Sequence, residues 1–485
     1  MTYRTTIVII LAGIGLLPCA AANEGGLREQ AAQAMRRATR FFRTEVSTEG
    51  GYLWQYSEDL TLREGEGEAT DSMVWVQPPG TPSVGMVLLT AYEATGDSYY
   101  LDAAKDAAYA LVRGQLRSGG WDYRIEFDPA RRSRYAYRVD PGKDNARNVS
   151  TLDDNTTQSA IRLLMQVDRA LDFKDPEIHE AVQFALNALL DVQYPNGAWP
   201  QRFSAPPDPA KFPVKKASYP DSWSRTFPKQ DYRSYYTFND NGIADTIETM
   251  LGAFDVYGDA RYRAAAEKAG DFIILAQMPA PQPAWAQQYD ADMHPAWARK
   301  FEPPAVTGGE SQGVMRILLT LYRATGKKKF LEPIPRAIEY FRRSQLPDGR
   351  LARFYELRTN KPLYFTREDY ELTYSDADVP THYSFKSGFA GVESIARQYE
   401  RLKNMSPDDL ARRRKTEGGR RKSGLPAGLT NRVKSIIARL DERGRWLVPG
   451  QLKTAASPHP TGRIITTRTF INNLRALAAY IADSR

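Results

Sequence analysis

Cysteine is almost absent. The 485 residues contain one, Cys19. That excludes a disulfide framework and any zinc site built on thiolates. Histidine is scarce too, and His179, His294, His382 and His459 are too scattered in sequence to suggest a shared metal. Beyond the first 22 residues no apolar run is long enough to span a bilayer. Apolar and charged residues are not lacking. At 42% hydrophobic and 26% charged, the composition excludes a mostly disordered chain.

Lys and Arg number 66 against 58 Asp and Glu, a net charge of +8. Part of the excess lies in Arg412–Lys415 and Arg420–Lys422. The balance favours an anionic partner. The N-terminus narrows the class. Arg4, an apolar stretch Thr6–Leu17 and the small residues Ala20-Ala21-Ala22 read as a secretory signal. A secreted or periplasmic protein is expected, which argues against nucleic acid. Pro18 before Cys19 fits a lipid-anchored alternative poorly.

A helical sentence then repeats. Val84, Val87, Leu88 and Ala91 space one helix, Gly96 ends it, a second helix follows, and Gly119-Gly120-Trp121 closes the pair. Similar pairs close at Gly197-Ala198-Trp199, at Pro283-Ala284-Trp285 and at Asp348-Gly349-Arg350. Helix pairs of irregular period that bury both faces commonly close into an α/α toroid. The expected class is therefore all-α, an incomplete α/α toroid with short β-hairpins at one rim. The expected division is a signal at 1–22, a toroid at 23–404, a charged linker at 405–428 and a small C-terminal appendage at 429–485. A monomer is expected.

In such a toroid, the loops leading into the inner helices share a rim. Asp153-Asp154-Asn155, Asn239-Asp240-Asn241 and Gly309-Glu310 stand there. One Asp at a helix start is explained by capping. Several on one rim repel each other, and a hard cation with oxygen ligands relieves that. Downstream, Arg353, Arg358, Lys361 and Arg367 fall in a hairpin-like span where Arg353 and Tyr355 share a strand face. Guanidiniums grip carboxylates in a bidentate fashion. Carboxylates for calcium beside guanidiniums for carboxylates suit a polyuronate substrate and β-elimination. Two alternatives stay open. One is an inverting hydrolase using Asp153 and Asp240; the other is a uronan-binding protein without catalysis.

Longer runs sharpen this. Asp153-Asp154-Asn155-Thr156-Thr157, Pro195-Asn196-Gly197-Ala198-Trp199-Pro200-Gln201, Phe238-Asn239-Asp240, Gln282-Pro283-Ala284-Trp285-Ala286-Gln287-Gln288-Tyr289, Trp297-Ala298-Arg299 with Phe301-Glu302, and Arg353-Phe354-Tyr355-Glu356 occur in that order. The chain resembles the family 10 pectate lyases. The resemblance implies calcium-dependent cleavage of polygalacturonate. It implies Arg367 as catalytic base, Arg353 as a substrate-binding residue, and Asp153 and Asp240 as calcium ligands. Asp154 replaces a usual Asn, and His382 stands where another arginine is usual, so both are placed with the substrate. Lys386 is also placed with the substrate, and Lys386 and Tyr383 are alternative bases. Trp199, Trp121 and Tyr355 either stack on sugar rings or close the hairpin tips.

Overall fold

The structure is a computed structural model. It describes residues 20–140, 142–406, 408–410, 412, 428–454 and 461–483. Cys19, the expected signal through residue 19 and most of the expected linker 405–428 lie outside these. The described helices are α1 (Ala20–Phe41), α2 (Thr81–Thr95), α3 (Ser98–Gly114), α4 (Pro129–Arg132), α5 (Thr156–Ala170), α6 (Pro176–Asp191), α7 (Gly242–Tyr257), α8 (Ala260–Leu275), α9 (Glu310–Thr325), α10 (Ile334–Arg343), α11 (Ala390–Lys403), α12 (Leu429–Ala438) and α13 (Thr467–Asp483). Among the described residues no helix is long and apolar enough to cross a membrane.

The fold is the expected α/α toroid. Inner helices pack in series, with α2 against α5, α5 against α7, α7 against α9 and α9 against α11. α3, α6 and α8 return outside their partners α2, α5 and α7. Both faces of the inner helices are apolar for this reason. On α5, Ile161, Leu163, Leu164, Met165 and Val167 are all buried. Each large side chain so buried stabilises by roughly 1.5–3 kcal/mol.

The hairpin tips share one design. The indole N–H donates to a carbonyl near the end of the preceding outer helix: Trp121 to Leu111 O, Trp199 to Leu189 O and Trp285 to Ile273 O, each at 2.8 Å. Gly197 precedes its tryptophan with φ +100°, and a Cβ there would strike the Lys268 carbonyl.

The described residues 429–454 and 461–483, expected as a separate appendage, pack against the toroid as a further helix pair. Trp446 donates to Ile436 O at 2.9 Å, as the other tip tryptophans do. The inner helix α13 packs on α2 and α1, and Phe470 stacks on Phe42 with centroids 3.7 Å apart. Strand Arg463–Thr466 pairs with Gln55–Ser57, so the two ends of the chain are sewn together. The physical reason is the apolar face of α13, with Phe470, Leu474, Leu477 and Ile481 buried. That face needs a partner, and α2 supplies one. Among the described residues no extensive contact joins α11 to α13.

Candidate active site

Two inner helices begin with the same backbone device. Before α5, strand Ser150–Thr151 pairs with Arg202–Phe203; before α7, Tyr236–Thr237 pairs with Gln288–Tyr289. Each strand ends in a threonine whose hydroxyl accepts from the amide two residues on, Asp153 or Asn239, at 3.1 Å. A single turn follows, Asp153–Asn155 or Asn239–Asn241. Its last two residues are left-handed: φ is 48° and 60° at Asp154 and Asn155, and 47° and 58° at Asp240 and Asn241. Asp and Asn tolerate this region better than other residues with a Cβ. The turns lie against each other and share a cavity of ≈ 430 Å³.

Asp153, Asp154 and Asp240 each offer an oxygen within 4.8 Å of the others. Burial first, then the charges of Asp153 and Asp240, pushes Asp154 up to about 7. Burial and then Asp153 push Asp240 up to about 6. Little protein charge relieves them. Gln77 donates to Asp154 at 2.9 Å, Tyr123 donates to Asp153 Oδ2 at 2.7 Å, and Asn239 donates to Asp240. Asp153 Oδ1 and Asn239 Oδ1 are buried with no partner. Crowded anionic oxygens with unpaired lone pairs fit a hard divalent cation, and calcium takes such oxygen ligands.

Facing them is an arginine that the sequence candidates omitted. Arg299 lines the cavity, as do Arg202 and Arg233. Arg299 grips Glu302 with Nε at 2.9 Å and Nη2 at 2.5 Å. Burial opposes its charge, but Glu302 more than compensates and holds the guanidinium above its ordinary range. Burial likewise pushes Glu302 up, and Arg299 holds it below the usual carboxylate range. Tyr383 donates to Glu302 at 2.9 Å and closes the same wall. The signal was present: Trp297-Ala298-Arg299 with Phe301-Glu302 is one of the runs that carries the resemblance. Nothing in its spacing separated Arg299 from the many arginines around it.

The other candidates fall differently. Arg353 stands behind the wall. It donates to Glu310 at 2.6 Å, its guanidinium lies 4.2 Å from the Tyr383 ring, and its Nε is buried without a partner. Arg367 is exposed, pairs with Asp378 at 3.1 Å, and is not on the cavity wall. Lys386 pairs with Asp348 at 3.0 Å and Asp376 at 2.5 Å, also away from that wall. His382 is exposed beside Phe301, with ring centroids 5.3 Å apart. Trp199 and Tyr355 are corrections. Each is 1% exposed, and Tyr355 donates to Ser344 O at 2.6 Å, so neither presents a face to a sugar. Both close hairpin tips because their large rings fill the gap between helix ends.

An α/α toroid with crowded carboxylates and arginines in one rim cavity has the charge complement to receive an anionic polymer. Residues 136–351 match the family described as Pectic acid lyase. That segment carries both acidic turns and the Arg299–Glu302 pair, and it ends before Arg353 and Arg367. Over that segment the chain is similar to the pectate-lyase type of polysaccharide lyase. Among solved structures, the chain is similar to the family 10 polysaccharide lyase from Cellvibrio cellulosa. Identity there is 23%, covering 67% of this chain and 98% of that one, with a TM-score of 0.44. A mutant of the Cellvibrio enzyme in complex with trigalaturonic acid gives 21%, 66%, 98% and 0.45. Cellobiose 2-epimerase from Spirochaeta thermophila gives 13%, 80%, 99% and 0.43. No curated protein matches the chain. The likeness to that family rests on the matched segment.

Proposed function

We propose that the protein is a calcium-dependent pectate lyase that cleaves α-1,4-linked galacturonan by β-elimination outside the cytoplasm. The observation that carries this is the single cavity in which Asp153, Asp154 and Asp240 crowd together opposite Arg299. Asp153, Asp154 and Asp240 would hold calcium, which neutralises the uronate carboxylate and acidifies the adjacent C5–H when bound. Arg202 and Arg233 supply further cations on the wall for neighbouring carboxylates. Arg299 takes the role that the resemblance gave to Arg367. Its Nε and Nη2 are fixed on Glu302, with the guanidinium on the cavity wall. A guanidinium anchored in this way stabilises the developing enolate charge. It accepts the C5 proton only where it can first lose its own, so the reaction runs at alkaline pH. The C5–H electrons form the C4=C5 double bond, and the C4–O bond breaks to release the leaving chain. No water is consumed.

The spacing speaks against an inverting hydrolase. Its two carboxyls need roughly 6.5–9.5 Å for an intervening water, whereas the oxygens here lie within 4.8 Å. Product chemistry tests the reading. Polygalacturonate incubated at alkaline pH with calcium should yield an ultraviolet-absorbing 4,5-unsaturated end, and chelator should abolish it. New reducing ends without that absorbance would establish hydrolysis instead.

A further inference from the structure

We infer that Arg162, assisted by Gln158, is a positioning residue that sets the gap between the two acidic turns and so tunes calcium affinity. The inference rests on the reading of Asp153, Asp154 and Asp240 as calcium ligands.

The two side chains leave the same face of α5, four residues apart. Arg162 Nη2 donates to Asn155 Oδ1, at the left-handed end of the first turn. Its Nη1 donates to Thr249 Oγ1 at 2.9 Å and Asp245 O at 3.2 Å, both on α7. That helix is the one the second turn begins. Gln158 is fully buried. Its Nε2 donates to Leu152 O at 2.8 Å, just before the first turn, and to Gly242 O at 3.2 Å, just after the second. Each side chain thus bonds one acidic turn to the element carrying the other.

The restraint has something to resist. Like charges on Asp153, Asp154 and Asp240 drive the turns apart. Asp154, Asn155, Asp240 and Asn241 are all in the left-handed region, which persists only where the surroundings hold it. The acidic groups near Arg162 are Asp245 and Glu248 of α7. They draw the guanidinium toward α7, not toward the cavity. A fork that bonds two elements at once is what arginine offers and lysine does not.

The test is calorimetric titration of calcium chloride into the parent protein, Arg162→Met, Arg162→Lys and Thr249→Val, with thermal melts of each. Outer partners of metal ligands typically govern 10–100-fold in affinity, so Arg162→Met should weaken calcium by about 10–100-fold. Arg162→Lys should recover the melting temperature but not the affinity. Thr249→Val removes one anchor in an isosteric way and should weaken binding about fivefold. Its kcat at saturating calcium should stay near the parent value. A folded Arg162→Met that binds calcium as the parent does would overturn the inference. If Arg162→Met does not fold, Thr249→Val decides, and unchanged affinity there overturns it. A parent protein that binds no calcium would bring down the calcium reading of the site itself, and this inference with it.

Discussion

Two charged regions of the rim differ in how their charges are matched. In the cavity, Asp153, Asp154 and Asp240 face one another, and Asp154 is pushed up to about 7. In and beyond the basic hairpin, three of the sequence candidates have found carboxylates of their own: Arg353 has Glu310, Arg367 has Asp378, and Lys386 has Asp348 and Asp376. The cavity holds charge in reserve for something outside the protein, and the hairpin has largely neutralised its own. Arg299 belongs with the cavity in spite of its bond to Glu302, because it meets the same space as the acids. A functional charge is recognised here by the company it lacks, and sequence does not display that.

Breaking the cavity should have the largest effect. Asp240→Ala removes one of the mutually repelling carboxylates at the cavity rim, so the protein should fold, yet lyase activity at limiting calcium should fall by about 10²–10³. Excess calcium should restore part of it, and a dose–response of rate against calcium checks this. Next comes the hairpin tip. Trp199→Ala should cost about 3–5 kcal/mol of stability. The protein that remains folded should show an unchanged KM, whereas a ring that stacked on sugar would raise it.

Two pH experiments sharpen the comparison further. Asp154 is near 7 in the fold, against about 3.9 in an unfolded chain. Between those values the folded state binds more protons, so this group makes stability fall as pH rises from about 4 to 7. In chelator, the parent should lose more melting temperature over that range than Asp154→Asn does, and calcium should suppress the difference. Glu302→Gln removes the charge that holds Arg299 high, so the alkaline rise of the pH–rate profile should move to lower pH. Smallest of all, Lys386→Ala should leave kcat/KM within about twofold, since exposed ion pairs contribute little.

The sequence carried the toroid well. Apolar spacing marked the inner helices, and the Gly-x-Trp tips marked their returns. The same tip is present at Gly444-Arg445-Trp446, but it lies beyond the charged linker that set residues 429–485 apart. Strand Arg463–Thr466 pairs with residues near the other end of the chain, which local patterning cannot reveal. The acidic turns were legible because doubled carboxylates at helix starts are uncommon chemistry. Trp199 and Tyr355 stayed ambiguous in sequence, since an aromatic closing a tip and one stacking on a sugar look alike until burial is known. The arginines were the hardest. Arg299 and Arg367 are the same residue type in similarly aromatic settings, and only tertiary placement separates them.

That separation is the central claim, and one measurement addresses it directly. Arg299→Ala and Arg367→Ala should be assayed side by side on polygalacturonate at saturating calcium and alkaline pH, with circular dichroism to confirm that both fold. The account predicts that Arg299→Ala loses about 10²–10³ in kcat while Arg367→Ala keeps nearly the parent rate. Loss of activity in Arg367→Ala with a nearly full rate in Arg299→Ala would contradict it and return the chemistry to the hairpin.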